Sequence, residues 1–246
     1  MILSPFVRLG ERALDLLYPP RCPVCHEPVG EAGARICAAC SEVPAYIRDP
    51  YCLLCGAQLS DRGRERCTVC EGRETYFLRN FPLMSYDQTA RESVAQFKFH
   101  GRREYALWYA QAWTETWGDA VLSRGAAFVT SVPAHPKKKR ERGYDQAEVF
   151  ARETARLLHL PYAPHLLVRR GSSAQQKTLG RAARRENLRS AFAAGPGRMP
   201  EGTALLLDDV YTTGETLDAC SRILAERGAP QILTGTVCVG QDGGGI

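Results

Sequence analysis

Asp208 and Asp209 follow directly on the apolar run Leu205, Leu206 and Leu207, and two spacers later come Thr212, Thr213, Gly214, Glu215 and Thr216. This places an acid pair beside a turn rich in hydroxyls and small residues. Unpaired N–H groups at a helix start, with the positive end of the helix dipole, favour a phosphate. Ionised carboxylates only accept hydrogen bonds, so they favour a ligand that offers hydroxyls. A phosphorylated sugar satisfies both halves: its ring hydroxyls donate to the aspartates while its phosphate lies in the turn. The ordinary alternative is a strand–turn–helix with an aspartate cap and no ligand.

The second chemistry-bearing set is Cys22, Cys25, Cys37, Cys40, Cys52, Cys55, Cys67 and Cys70, four C-x-x-C pairs at fifteen-residue offsets. Residues 22–40 align without a gap on residues 52–70, with Val29 opposite Leu59 and Gly33 opposite Gly63, so the segment is a tandem repeat of a 19-residue unit. Two C-x-x-C turns supply four thiolates, a complete tetrahedral shell for Zn²⁺. With every position filled by sulfur, two such zinc sites are structural. A segment of about 50 residues holds too little apolar material to fold without such staples. The repeat favours sequential sites, the first two pairs on one metal and the last two on another; a crossed pairing has compatible spacing. His26 stands where the second unit has Gly56 and reads as a solvated side chain, a stand-in ligand being the other option. Cys220 and Cys238 read as small core residues.

The elements that must position these groups follow from periodicity. Residues 78–86 open a strand. Residues 88–99 read as a helix with Ala90, Val94 and Phe97 inward, and residues 102–117 as a second with the stripe Tyr105, Trp108, Tyr109, Ala112, Trp113 and Thr116 packed in the core. A strand over 126–133 leads into a basic loop, residues 134–144, with Lys137, Lys138, Lys139, Arg140 and Arg142. Asp145 and Glu148 form a capping box for the next helix. Residues 162–168 read as a strand. Residues 169–189, rich in Arg, Gln and Ser, suit a mobile flap carrying Arg170, Gln176, Lys177 and Arg184, with a helix near 179–188. A helix from Thr216 to about Arg227 stops at Gly228, and a last strand spans 231–239. The order strand, basic loop, helix, then strand, phosphate turn, helix predicts an α/β fold, a doubly wound, mostly parallel sheet. The expected organisation is an amphipathic helix over 1–20, a double zinc ribbon over 21–75, the α/β domain over 76–240 and a flexible tail over 241–246.

Charge is unevenly placed along the 246 residues. Residues 1–77 carry 9 basic and 10 acidic side chains, whereas residues 131–200 carry 15 basic and 5 acidic. The basic excess sits just before the phosphate turn, where it attracts an anionic substrate or a nucleic acid. No stretch reads as a signal peptide or transmembrane segment. Ten cysteines without a secretion signal point to metal thiolates in a reducing, cytoplasmic setting.

The Asp208–Thr216 run resembles the phosphoribosyl diphosphate (PRPP) motif of type I phosphoribosyltransferases. Nearly the whole chain resembles the ComF family, an N-terminal double zinc ribbon on a type I phosphoribosyltransferase domain. The resemblance is carried by the four C-x-x-C pairs, Gln96-Phe-Lys-Phe-His-Gly101, Ser131-Val-Pro133, Arg140-x-Arg-Gly-Tyr-Asp-Gln146, Gln175-Gln-x-x-Leu179, Arg184-x-x-Asn187 and Asp208–Thr216. It implies a phosphoribosyltransferase that uses Mg²⁺ and PRPP. Asp208 and Asp209 would hold the ribose hydroxyls, and Thr212, Thr213, Gly214, Glu215 and Thr216 the 5′-phosphate. Ser131, Arg140 and Arg142 would hold the diphosphate, and Arg170, Gln176, Lys177 and Arg184 would close over the site; the acceptor is unidentified. Family members are associated with DNA uptake in natural transformation and some with sugar-acid utilisation. The alternative it implies is a non-catalytic nucleotide sensor with single-stranded DNA and a competence helicase as partners.

One departure stands out. The family usually has Arg-Gly-Phe-Asn-Gln where this chain has Arg142-Gly-Tyr-Asp-Gln146. The Asn-to-Asp change removes two donors and adds a negative charge near the expected diphosphate; if Asp145 serves only as a helix cap, nothing is lost.

Overall fold

The computed structural model describes residues 19–31, 33–170 and 190–241. The N-terminal helix expected over 1–20, except Pro19 and Pro20, lies outside them, as do the helix near 179–188 and all but the first residue of the tail. Six strands are present among the described residues: β1 (Arg79–Ser85), β2 (Ala126–Ser131), β3 (Leu167–Arg169), β4 (Phe192–Ala194), β5 (Thr203–Tyr211) and β6 (Ile232–Val239). The helices are α1 (Gln88–Phe99), α2 (Tyr105–Leu122), α3 (Pro136–Arg142), α4 (Gln146–Leu157) and α5 (Glu215–Glu226).

Strands β1, β6, β5 and β2, in that order, form one sheet with every pair parallel. The unbroken apolar runs explain why. Leu205, Leu206 and Leu207 are fully buried, and every residue of β6 is buried, as a parallel strand covered on both faces requires. Each such leucine contributes roughly 1.5–3 kcal/mol. Helices α2 and α4 pack together against the sheet, while α5 packs on β5 and β6 and carries the antiparallel β3–β4 pair. Gly235 lets α2 close on the sheet, because a Cβ there would lie 2.5 Å from Trp113 Cζ2.

The winding decides where a ligand can enter. From β2 the chain passes through α4 to Tyr162, which bridges Val129 on the outer side of β2. From β5 it passes through α5 to β6, in the other direction. The reversal falls between β2 and β5, and open α/β sheets bind ligands at the carboxyl ends of the strands flanking such a point. Asp208, Asp209 and Ser131 lie there.

Three local expectations are corrected. The strand expected over 162–168 reduces to the Tyr162 bridge and β3, because Pro161 and Pro164 interrupt pairing. The basic loop over 134–144 contains α3: the His135 side chain accepts the Lys137 N–H, Pro136 opens the helix, and left-handed Gly143 stops it. In α2, Thr116 is exposed and Trp117 is buried in its place, donating from Nε1 to the Pro82 carbonyl at 2.8 Å.

The exposed edge of β1 is covered by the cysteine-rich segment. Asn80 N–H donates to the Leu54 carbonyl at 2.8 Å, Ser85 N–H to Ala45 at 2.9 Å, and Ile47 N–H to Leu83 at 3.1 Å. Among the described residues no helix is long and apolar enough to cross a membrane.

Candidate functional site

Strand β5 remains extended through Tyr211, so Asp208 and Asp209, adjacent in sequence, project to opposite faces near its carboxyl end. Both are half-buried. Asp208 Oδ1 accepts the Asp209 N–H at 2.8 Å. Asp209 Oδ1 lies 2.8 Å from Lys98 Nζ, with the two side chains only 18% and 21% exposed. Burial, then the charge of Asp209, pushes the Asp208 carboxyl well above its ordinary range. Burial works to lower the Lys98 pKa, but Asp209 and then Asp208 outweigh it and leave it raised. The site is therefore an acid pair with one carboxylate neutralised by a resident ammonium and the other held in an environment that resists its charge.

The chain makes Lys98 reach this point through α1. Asp87 caps that helix by accepting the Ala90 N–H at 2.8 Å, Phe97 buries its apolar face, and Lys98 falls in its last turn. The Tyr144 hydroxyl donates to the Phe97 carbonyl and anchors the same turn. The hydroxyl by which this chain differs from the usual family phenylalanine thus has a partner. Lys98 was not singled out from sequence, although it stands in the Gln96–Gly101 motif; a lysine between Phe97 and Phe99 at a helix C-terminus was the available signal.

The turn after β5 exposes Thr212 and Thr213 and buries Gly214. Gly214 has φ 75° and is the N-cap of α5, with no side chain of its own to cap the helix. A Cβ at Gly214 would lie 2.2 Å from the Tyr211 hydroxyl, so both its conformation and the ring beneath it require glycine. Glu215 and Thr216 are half-buried in the first turn of α5.

Across the reversal point, half-buried Ser131 ends β2, its hydroxyl 3.1 Å from that of Tyr162. Arg142 is tied back: its guanidinium donates to Gln146 Oε1 at 2.8 Å and lies 4.9 Å over the Phe99 ring. Arg140 is exposed on α3. Neither arginine forms a hydrogen bond or ion pair with the aspartates. Asp145 caps α4 through the Glu148 N–H at 3.3 Å and also accepts the Ala134 N–H at 2.7 Å, which fixes the segment after β2. Burial raises its pKa. Buried Gln146 leaves its side-chain nitrogen without a hydrogen-bond partner. Arg170 is exposed, its N–H on the Ala191 carbonyl at 2.8 Å, whereas Gln176, Lys177 and Arg184 lie outside the described residues. A groove of about 770 Å³ between residues 72–78 and 225–232 contains none of the acid pair or turn residues.

The cysteines gather as Cys22, Cys25, Cys37 and Cys40, and as Cys52, Cys55, Cys67 and Cys70, each set with its sulfurs within 4.8 Å of one another. That is the sequential pairing. Sulfurs about 2.3 Å from a tetrahedral zinc stand about 3.8 Å apart. Cys25–Cys37 at 3.8 Å, Cys22–Cys37 at 3.7 Å and Cys55–Cys67 at 3.7 Å match that edge. Both sets therefore fit structural zinc ribbons. His26 is not a ligand; its ring stacks on Tyr105 with Nδ1 2.9 Å from the hydroxyl, which corrects its reading as a solvated side chain.

A family model, the double zinc ribbon domain, matches residues 13–71. Competence protein F of Haemophilus influenzae is 26% identical over 86% of this chain and 93% of its own length. Competence protein ComFC of Bacillus subtilis is 27% identical over 79% of each chain. DNA utilization protein YhgH of Escherichia coli K12 is 24% identical over 91% of this chain and 98% of its own. Orotate phosphoribosyltransferase from Aeropyrum pernix, at 21% identity, and the allosteric regulatory enzyme of purine biosynthesis, at 18%, overlay with a TM-score of 0.32 each. They cover 59% and 53% of this chain and 63% and 25% of their own, too loose a match to carry an argument. The class is thus a double zinc ribbon joined to an α/β domain built on a parallel sheet. Over most of its length the chain is similar to these competence and DNA utilization proteins.

Proposed function

We propose that the protein binds PRPP together with Mg²⁺ and transfers its phosphoribosyl group to an acceptor, releasing diphosphate, in the setting of DNA uptake. Residues 21–75 act in this scheme as the zinc ribbon module and residues 76–240 as the catalytic domain. The observation that carries the proposal is an acid pair with its own lysine beside a glycine-capped helix start, at the reversal point of a parallel sheet.

Asp208 and Asp209 accept the ribose hydroxyls. The N–H groups of the helix start after Gly214, with the hydroxyls of Thr212, Thr213 and Thr216 and the backbone of Glu215, hold the 5′-phosphate. Ser131, Arg140 and Arg142 serve the diphosphate, and Arg170, Gln176, Lys177 and Arg184 close over the site. Carboxylate and diphosphate oxygens form a donor set suited to Mg²⁺, which when bound neutralises charge on the departing diphosphate. The C1–O bond breaks with its electron pair leaving on the diphosphate, and a lone pair of the acceptor forms the new bond to C1. Lys98, 2.8 Å from Asp209, fixes that carboxylate in place, so the sugar meets a preorganised acceptor. Titrating PRPP with Mg²⁺ into the protein by calorimetry tests this: binding in the wild type, and its loss in Asp208→Asn/Asp209→Asn with zinc content unchanged, is the expected result. Equal binding by both proteins refutes it.

A second reading, single-stranded DNA capture without turnover, is favoured by one feature, the exposed row Lys137, Lys138, Lys139 and Arg140 on α3. Two members are already engaged, Lys137 with Glu141 at 3.9 Å and Lys139 with Glu148 at 2.7 Å. Oligonucleotide affinity that falls steeply with salt in the wild type, and less steeply after Lys138 and Arg140 become alanine, would support it.

A further inference from the structure

The second cysteine set and the phosphate turn are in direct contact, which neither the repeat nor the turn announces in sequence. Arg73 follows the last thiol of that set by three residues, and its N–H closes a turn on the Cys70 carbonyl at 3.2 Å. Its guanidinium reaches across the fold and donates to the carbonyl of Thr213, inside the turn. Three residues further on, the Tyr76 N–H donates to Asp218 Oδ1 at 2.8 Å, in the first turn of α5. Between these points Phe77 is buried edge-on against Tyr211, the ring beneath Gly214, with centroids 6.4 Å apart. The segment thus grips the turn at its carbonyl, its supporting ring and its helix. Arg66 steadies the grip by donating to the Arg73 carbonyl at 3.1 Å.

We propose that Arg73 is a positioning residue for the sugar-phosphate site, through which the second zinc ribbon holds the Thr212–Thr216 turn in its anion-binding shape. It rests on the phosphate role proposed for that turn. The physical reason is directional. A turn whose N–H groups point at an anion points carbonyls away from it, and those carbonyls need a donor behind them. The guanidinium supplies that donor behind Thr213, and its charge adds to the field that favours the phosphate. The hold is set by the ribbon, because the Arg73 backbone is tied to the Cys70 turn through its N–H and to Arg66 through its carbonyl.

The test uses full-length, zinc-loaded protein as wild type, Arg73→Ala, Arg73→Lys and the control Arg62→Ala, which removes only an exposed pair with Asp49. Hydrogen exchange of the 212–216 amides and ribose 5-phosphate affinity are measured alongside zinc content. Arg73→Ala is expected to keep two zincs, to exchange faster at 212–216 alone, and to bind ribose 5-phosphate about tenfold more weakly, the effect of one charge-assisted hydrogen bond. Arg73→Lys recovers part of both, and Arg62→Ala matches the wild type. Unchanged exchange and affinity in Arg73→Ala overturn the proposal, as does loss of zinc, which would assign Arg73 to the ribbon itself. If the wild type binds no ribose 5-phosphate, the phosphate role fails while the exchange comparison still decides whether Arg73 holds the turn.

Discussion

The two cysteine units share a spacing and a ligand set, yet they are held by the protein in different ways. In the second, Cys52, Cys55, Cys67 and Cys70 are all buried and belong to the same apolar cluster as the sheet. Asn80 of β1 donates from its side chain to the Cys55 carbonyl at 3.0 Å, and a Cβ on Gly56 would lie 2.2 Å from Pro82 Cδ. In the first, Cys25 is exposed, Cys37 is half-buried, and Cys22, Val29 and Cys40 form a small cluster of their own. It is attached through Ile36, which packs against both clusters, and through Tyr105 of α2, which stacks on His26 and donates to the Cys22 carbonyl at 3.2 Å. The residue after the second knuckle cysteine is therefore diagnostic: glycine where the unit is pressed onto a strand, histidine where it is pegged to a tyrosine. One four-cysteine set lies within the core and the other within an appendage.

Four predictions bear on that difference. The largest effect is expected from Cys55→Ser. It removes a ligand inside the shared core, so cooperative melting is lost; Cys25→Ser should instead keep the cooperative transition and bind one zinc, read by metal analysis and calorimetry. Next, Gly56→His copies the first unit's residue into the second. Overpacking against Pro82 at a φ of 79° should cost about 1–3 kcal/mol, seen as a lower denaturation midpoint. Tyr105→Phe removes only a hydroxyl from the peg, so a loss of about 1 kcal/mol is expected, with faster zinc release to a chelator from the first unit alone. A wild-type release rate would show that the peg is not what holds the unit.

The smallest effect concerns the acid pair that the second unit abuts through the turn. Asp208 has a raised pKa, so the native state binds its proton more tightly than the unfolded chain does, and folding stability falls as pH rises toward and through that raised value. Asp208→Asn lacks this penalty. It should melt a few degrees higher than the wild type at alkaline pH by roughly the same logic, with the gain shrinking as pH drops and the wild type takes up its proton. A gain that grows toward low pH would contradict the assignment.

Much of this arrangement is legible in the chain because it is local. Leu205–Gly214 announces a buried strand, an acid pair and a left-handed helix entry, and Asp145 announces a cap, all within a few residues. The cysteine pairs announce zinc, but sequential and crossed pairing have compatible spacing, and only the three-dimensional gathering separates them. Helix α3 was missed although His135-Pro136 and Gly143 are cap signals, because the run of charge between them has no apolar period. What stayed hidden is long-range. Lys98 on Asp209, Tyr105 on His26 and Arg73 on Thr213 join residues 79 to 140 positions apart, and no spacing rule reaches that far.

The most direct measurement is a crystal structure of the zinc-loaded protein with PRPP and Mg²⁺. The expected density shows the 5′-phosphate on the amides of residues 212–216, the ribose hydroxyls on Asp208 and Asp209, and the diphosphate toward Ser131. A ligand bound away from the aspartates, or an empty turn at saturating PRPP, would contradict the assignment.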